Sequence, residues 1–175
     1  ILWAPKVHMN MFYIQYPVPR SFMSYWYTHF GNTRIPSEEL DYEGLEGLVG
    51  LMQKDAYRCG LQLQALGHGY HFLPYGVSPE SFNGQFSLPE EAKKAIALVN
   101  GKREYCFDGV PNYTQVCMGN EEVLNDLVQW LADYAENHPE VNFLRAGLAD
   151  AYDNHCECPL CTPQRTSDHY VKMLN

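Results

Sequence analysis

The chain has 175 residues, 46% of them hydrophobic, which is enough for a folded domain with a sizeable core and excludes an intrinsically disordered segment. Its formal charge of −9, with only 12 scattered Lys and Arg residues, argues against a nucleic-acid partner, because phosphates call for basic stripes. No stretch approaches the roughly 18 apolar residues of a membrane-spanning helix.

The sequence is expected to be a piece of a longer parent protein. A strand pattern over residues 7–16 starts almost at once, and the chain stops at Asn175 inside a helical pattern. No signal segment is visible at Ile1. The location therefore stays open: secreted or periplasmic if the parent carries a signal peptide, and cytoplasmic otherwise.

The first half of the chain predicts a strand, a helix and a second strand. Residues 7–16 are rich in β-formers, and residues 17–36, which contain three prolines and an aromatic run, are expected to form a long loop. Apolar residues at helical spacing predict a helix over 38–58, and alternation predicts a strand over 61–66. The loop that follows, residues 67–71, holds two glycines and two histidines.

The second half continues the alternation of strands and helices. The dipeptide Asn100-Gly101 predicts a β-hairpin. Residues 114–118 are expected to form a third core strand, and Asn120 is expected to cap the helix after it. A fourth strand is predicted over residues 143–149, and Thr166 or Ser167 is expected to cap a last helix. This order favours an α/β fold with a parallel sheet.

Half of the six cysteines fall within six positions: Cys156, Cys158 and Cys161. They are too crowded to pair well with each other, and clustered thiols are typical of zinc ligation. Cys117 is the expected fourth ligand of a structural zinc, with His155 as the runner-up. Reduced thiols, or a disulfide between Cys117 and one of the three, remain open. No phosphate-binding or dinucleotide-binding glycine motif indicates an organic cofactor.

Three stretches carry a resemblance to a known family: residues 67–74, residues 97–103 leading to 115–121, and residues 150–161. Together they make the chain resemble the bacterial family catalogued as domain of unknown function 4838, whose members resemble glycoside hydrolases with a (β/α)8 barrel. The resemblance spans residues 7–175.

The resemblance implies that residues 1–175 form a single domain, the parallel-stranded portion of a (β/α)8 TIM-like barrel with a β-hairpin insertion. A complete barrel needs about 250 residues, so the chain would supply about four of the eight strand–helix units. Such a fragment would expose sheet edges, and we expect it to dimerise or aggregate.

The resemblance also implies a carbohydrate ligand and hydrolysis of N-acetylglucosamine-containing glycans by carboxylate acid/base chemistry. Asp150, at the end of a predicted strand, and Glu157 are the candidate catalytic residues, although the second carboxylate can equally lie beyond Asn175. Both acids have a simpler interpretation, as a loop cap and a solvated surface group. The residues expected to contact the glycan are Trp26, His68, Tyr70, His71, Asn120 and Asp153.

Two other classes of protein compete with a glycoside hydrolase. One is a non-catalytic carbohydrate-binding or scaffold module with a structural cysteine–zinc site. The other is a zinc-dependent hydrolase, which needs an open coordination position and histidines close to the cysteines. Each class has its own structural feature. A glycoside hydrolase has two carboxyl groups facing one cleft, a binding module has an aromatic platform without them, and a zinc-dependent hydrolase has a metal with a bound water.

Overall fold

The computed structural model describes residues 1–77, 89–105 and 109–175. The chain divides into two compact units, Ile1–Leu66 with His138–Arg145 and Gly67–Asn137 with Ala146–Asn175. Each unit has its own apolar core. The single domain over residues 1–175 and its place in a larger barrel stay predictions.

The first unit is built on a three-stranded parallel sheet. The strands are β1 (Met11–Gln15), β2 (Gln62–Gly67) and β3 (Phe143–Ala146), in the order β1-β2-β3. In β1 and β2, Met11 lies opposite Gln62 and Gln15 lies opposite Leu66. The predicted α/β class with a parallel sheet is therefore confirmed.

The first unit also contains two α-helices, α1 (Arg20–Tyr27) and α2 (Tyr42–Arg58), and a short 3-10 helix, Ala4–Val7. The Asp41 carboxylate accepts a hydrogen bond from the Gly44 N–H at 2.8 Å, which caps α2. The buried face of α2 repeats at helical spacing and packs against the apolar side chains of the sheet. Its members are Leu45, Val49, Gln53 and Ala56.

The prediction that residues 17–36 form only a long loop was wrong, because α1 lies within them. The helix begins directly after Pro19, a position that proline tolerates because the first N–H groups of a helix have no partner inside it. Met23 is its one buried residue, so the apolar periodicity that reveals longer helices is missing here.

The second unit contains α3 (Glu121–Asn137) and α4 (Thr166–Leu174). Asn120 Oδ1 accepts a hydrogen bond from the Glu122 N–H at 3.0 Å, as expected of a residue at the start of α3. Short 3-10 helices cover Tyr70–Tyr75, Glu90–Ala95 and Pro111–Tyr113. No helix in the described ranges is long and apolar enough to span a bilayer.

The prediction of a core strand over residues 114–118 was also wrong. Val116 forms a single antiparallel bridge with Ile96, and the segment belongs to no sheet of the described chain. Two backbone hydrogen bonds join it to residues 95–97: the Ala97 N–H donates to the Gln115 carbonyl at 2.9 Å, and the Cys117 N–H donates to the Ala95 carbonyl at 2.8 Å. The pairing ends there, since the Val116 N–H donates to the Gln115 side chain and the Met118 N–H to the Val116 carbonyl. The apolar run is buried in the core of the second unit, which explains why it resembles a strand in the sequence.

The Asn-Gly turn forms as predicted. Asn100 and Gly101 have φ angles of 50° and 76°, the positive pair that a type I′ turn requires. The flanking residues Val99 and Lys102 form one antiparallel bridge. The hairpin is therefore reduced to its turn and a single bridge.

His71 is a fully buried histidine in the second unit. Its Nε2–H donates to the Thr114 carbonyl at 2.7 Å, and burial lowers its pKa to about 4 from the ordinary 6.5. The ring is therefore neutral in the folded protein at neutral pH. Between pH 6.5 and 4 the unfolded chain binds a proton that the folded chain does not, so stability is lost as the pH falls through this window.

We predict that His71 contributes on the order of 3 kcal/mol to the loss of unfolding free energy between pH 6.5 and pH 4. His71→Gln removes the titrating ring, so the variant should lose less stability across this window than the unsubstituted chain. Urea unfolding at several pH values measures the difference, and protonation of other groups cancels in the comparison.

Gln53→Leu is the control: Gln53 is 4% exposed and carries no titrating group, so this change can alter the unfolding free energy but should leave its pH dependence unaltered. Parallel pH profiles for His71→Gln and the unsubstituted chain would contradict the assignment.

Candidate metal centre

Four buried thiols meet in the second unit: Cys117, Cys156, Cys158 and Cys161. Their sulfur atoms all lie within 4.8 Å of one another. Cys117 Sγ is 3.5 Å from Cys158 Sγ and 3.8 Å from Cys161 Sγ, and all four thiols are free. A disulfide bond is much shorter, about 2.05 Å, so the arrangement is a cluster of separate thiols.

The spacing fits tetrahedral coordination. A zinc–thiolate bond is about 2.3 Å long, and the edge of a tetrahedron is about 1.63 times that length, which gives a sulfur–sulfur distance of about 3.8 Å. The Cys117–Cys158 and Cys117–Cys161 distances lie close to this value. The four cysteines can therefore hold a metal ion without large movements of their side chains.

A tight turn holds Cys158 and Cys161 in place. The N–H groups of Cys161 and Thr162 both donate to the Cys158 carbonyl, at 2.9 and 3.0 Å. Gly119 packs directly on this turn, since a Cβ atom at that position would lie 2.4 Å from the Leu160 carbonyl oxygen. The turn therefore approaches the segment of Cys117 as closely as backbone atoms allow.

Donors from the surrounding chain point at the sulfur atoms. The Leu98 N–H donates to Cys156 Sγ and the Gly119 N–H donates to Cys161 Sγ, both at 3.2 Å. The Arg103 guanidinium lies 3.8 Å from Cys117 Sγ and also donates to the Ile96 carbonyl. Such donors stabilise thiolates and orient them toward a metal.

The thiols share their protons unequally. A hydrogen bond from the Cys117 thiol lowers the pKa of Cys156 to about 4, and the Leu98 N–H adds to the effect. The same contact, together with burial, raises the pKa of Cys117 far above its usual value. Burial raises the pKa of Cys161 to about 12. A cation bound to all four sulfurs must displace protons, so its affinity depends on pH.

The two predicted catalytic acids lie in the same unit as the thiols. Asp150 is exposed, and its N–H donates to the Asn112 carbonyl at 2.9 Å. Glu157 lies between two of the metal-ligand candidates, and its carboxylate accepts a hydrogen bond from the Asn100 N–H at 2.8 Å. This contact ties Glu157 to the hairpin turn, so the catalytic role of Glu157 stays a prediction with a structural alternative beside it.

The predicted glycan contacts are spread over the two units. In the first unit Trp26 is 64% exposed and stacks on Phe22, with ring centroids 6.4 Å apart. In the second unit the Tyr70 and His71 side chains have almost no accessible surface, so a ligand could reach them only after a rearrangement of this segment. The His68 ring is hydrogen-bonded to the Leu148 carbonyl.

The last two predicted contacts lie at loop positions of the second unit. Asn120 uses its side chain at the start of α3. Asp153 is exposed and has a positive φ of 51°. The structure therefore gives Asn120 a structural role, whereas Asp153 remains open to solvent.

Sequence reasoning missed the residues that support the cluster from outside. Arg103, Leu98 and Gly119 donate to sulfur, and His169 Nε2 lies 3.2 Å from the Cys161 carbonyl. The donors at 98 and 119 are backbone N–H groups, which cannot be recognised from the type of residue. Arg103 follows the Asn-Gly turn closely, and only that turn could have indicated that Arg103 lies near the cysteines.

No protein-family model, no curated protein and no solved structure matches this chain. The fold and the thiol cluster define the class of protein: an α/β protein with a four-cysteine site able to hold a metal ion.

We predict that Gly119→Ala weakens both the fold and the metal site, because the added methyl group would overlap the Leu160 carbonyl. Forcing the two backbones apart should cost about 1–3 kcal/mol of unfolding free energy and lower the affinity for metal. Thermal unfolding and competition with a chromogenic zinc chelator measure the two effects.

Gly47→Ala is the matched control. Gly47 is exposed on α2 with nothing within 4 Å of an added Cβ, so this change should be neutral or stabilise the chain by up to about 1 kcal/mol. Equal metal affinity in Gly119→Ala and the unsubstituted chain would contradict the described packing.

Proposed function

We propose that the four-cysteine cluster is a structural zinc site that stabilises this α/β protein. The observation that carries the proposal is the set of four sulfur atoms within 4.8 Å of one another. Thiolates favour zinc, copper(I) and iron–sulfur clusters, and four thiolates in a single tetrahedral group are typical of structural zinc. Calcium and magnesium prefer oxygen ligands.

The zinc would be structural because the ligand set leaves no coordination position open. A catalytic zinc keeps one position for water or substrate and commonly has three protein ligands. The metal-ligating group found in the described ranges consists of four cysteines, and His155 is not among them. A zinc-dependent hydrolase therefore has less support than a closed site.

Bound zinc would join segments that are distant in sequence. Cys117 precedes α3, whereas the other three ligands lie in the loop between β3 and α4. The Leu98 and Asn100 contacts bring the hairpin to the same loop, through Cys156 and Glu157. The metal would therefore fix the position of residues 150–161, including both candidate acids.

We predict one zinc ion per chain when the protein is purified without chelator, because a single four-thiolate site is available. Replacing any one of the four ligands with serine should remove most of the metal and lower the unfolding temperature. The four variants are Cys117→Ser, Cys156→Ser, Cys158→Ser and Cys161→Ser. Emission spectroscopy of the purified protein gives the metal content.

Cys59→Ser is the matched control, since Cys59 is a free cysteine of the first unit outside the cluster. It should keep the full metal content. A metal content well below one per chain in the unsubstituted protein, or equal content in all five variants, would end the zinc proposal.

The parallel sheet supports the proposal that the chain is part of a (β/α)8 barrel. Its strands are adjacent in the order in which they occur in the sequence, β1-β2-β3, as consecutive strands of such a barrel are. In a doubly wound sheet the strand order reverses at the binding crevice. A fragment of this kind leaves strand edges unpaired, so we also propose that it self-associates.

A second candidate function is hydrolysis of N-acetylglucosamine-containing glycans by the intact parent protein. The resemblance to the family catalogued as domain of unknown function 4838 suggests it, and the exposed Phe22–Trp26 pair is a surface on which a sugar ring can stack. Asp150 is the stronger catalytic candidate, because the Glu157 carboxylate is engaged with the hairpin turn.

We predict that Asp150→Asn in the intact parent lowers turnover of aryl N-acetylglucosaminides by about 100-fold or more, as loss of a general acid or base does. Glu157→Gln keeps an oxygen that can accept the Asn100 N–H and should retain most of the activity. Steady-state kinetics on the aryl glycoside and on N-glycans distinguish the two variants.

Full activity of Asp150→Asn would remove Asp150 from the mechanism. An intact parent that binds these glycans without cleaving them would instead support the non-catalytic module.

A further inference from the structure

The hairpin turn at Asn100 and Gly101 brings together two groups that can react with each other. Both residues are exposed, and their φ angles of 50° and 76° are those of a type I′ turn. The side-chain amide of an asparagine can be attacked by the backbone nitrogen of the next residue. Glycine at that position favours the attack, because it has no Cβ to block the approach. None of the functions considered above uses this chemistry.

Both reacting groups are free of hydrogen bonds within the described ranges. The Asn100 side-chain amide has no partner there, and the Gly101 N–H donates to none of the described carbonyls. A Cβ atom added at Gly101 would have nothing within 4 Å apart from its chain neighbours, so the space beside the residue is open. The attack therefore requires rotation of Asn100 but no displacement of a neighbouring side chain.

Asn100 is the one asparagine in the described ranges that precedes a glycine. Two other asparagines show the contrast. Asn154 is 6% exposed, and its amide donates to the Tyr113 carbonyl at 2.7 Å. Asn32 is exposed, but the next residue is the β-branched Thr33, whose side chain crowds the backbone nitrogen. Exposure, a free amide and a following glycine thus coincide at Asn100.

We propose that Asn100 is a site of spontaneous deamidation whose rate is controlled by the cysteine loop. The Gly101 nitrogen forms a bond to the side-chain carbonyl carbon of Asn100, and the bond from that carbon to the NH₂ group breaks. The NH₂ group leaves with the Gly101 proton as ammonia, and a cyclic succinimide remains. Water opens this ring at either carbonyl and gives aspartate, or isoaspartate with a backbone longer by a methylene carbon. Water is the sole co-reactant.

The cysteine loop holds the turn in an unreactive conformation. The Asn100 N–H donates to the Glu157 carboxylate at 2.8 Å, and Glu157 lies between Cys156 and Cys158. Asn100 has to rotate out of the turn before the Gly101 nitrogen can reach its side-chain carbon, and the contact with Glu157 opposes this rotation. The reaction therefore proceeds from the fraction of molecules in which the turn is open, and loss of the contact increases that fraction.

Deamidation acts back on the cysteine loop. Either product places a carboxylate on the residue whose N–H the Glu157 carboxylate accepts, and two like charges at this range repel each other. A coupling between two events is reciprocal, so a bound metal that fixes the loop slows deamidation, and deamidation weakens metal binding. This coupling to metal rests on the proposed zinc site, whereas deamidation and its control by Glu157 do not.

The test is peptide mass spectrometry of the whole chain after incubation in mildly alkaline buffer, with methylation by an isoaspartyl methyltransferase as the second readout. The peptide that contains Asn100 should gain the mass difference between OH and NH₂, whereas Asn32 and Asn154 should stay unmodified. Asn83 also precedes a glycine but lies outside the described residues. Trypsin separates it from Asn100 by cleavage after Lys94.

Two substitutions of Glu157 test the control by the loop. Glu157→Ala removes the acceptor and should speed deamidation of Asn100 about three-fold or more, as loss of a hydrogen bond to a charged group allows. Glu157→Gln keeps an oxygen that can accept the N–H and is the matched control, with a rate close to that of the unsubstituted chain. Removal of the metal with a chelator should speed the reaction in the same direction as Glu157→Ala.

A second pair of variants tests the coupling without a change at Glu157. Asn100→Asp reproduces one product, and Asp-Gly is itself a type I′ pair, so this variant isolates the added charge. It should bind zinc about three-fold more weakly, measured by competition with a chromogenic chelator. Asn100→Gly also suits a positive φ and adds no charge, so it should bind zinc normally.

An Asn100 that stays intact in the folded chain, while the chain unfolded in guanidinium chloride reacts to completion, would overturn the proposal. Equal rates in Glu157→Ala and Glu157→Gln would overturn the control by the loop. If Glu157→Ala speeds the reaction but the purified protein contains no metal, the deamidation proposal stands and the zinc proposal fails. Metal content measured on the same samples distinguishes the two results.

Discussion

Four thiols held within 4.8 Å of one another are the constraint on which the second unit depends. The hydrogen bond between Cys117 and Cys156 lowers the pKa of Cys156 and raises the pKa of Cys117, and burial raises the pKa of Cys161. A divalent cation bound to all four would favour the thiolate form of every ligand. Because the site does not exist in the unfolded chain, the free energy of metal binding would add to the stability of the fold.

The same loop organises its neighbours through backbone groups. Leu98 donates to a sulfur and accepts from the Glu157 N–H, so the hairpin and the cysteine loop share two hydrogen bonds at one residue. The Glu157 carboxylate then reaches the Asn100 N–H in the turn. The turn residues Asn100 and Gly101 supply the positive φ angles that make this approach possible. Local turn chemistry and the thiol cluster are therefore mutually dependent.

Much of this structure could be predicted from local patterns. Helical periodicity predicted α2 and α3, alternation predicted β2, and the Asn-Gly pair predicted the turn. These predictions succeed because each pattern depends only on residues that are close in sequence. The three crowded cysteines indicated the site. Cys117 was assigned to it on the premise that residues 114–118 form a strand, and the structure contains the cluster without that strand. Arg103 and His169 were not predicted at the site, because only the folded chain brings them to the cysteines.

A metal ion bound by all four cysteines would have a structural role and no part in catalysis. Four sulfur ligands fill a tetrahedral coordination sphere and leave no position at which water or substrate could be activated. With such a metal bound, any hydrolytic chemistry of the chain would have to come from side chains outside the cluster. Asp150 and Glu157 are the candidate acids of this loop, and Glu157 already has a backbone partner. A metal-fixed loop would restrict how far either acid can move, so their positions would be set by zinc even though their chemistry would not be.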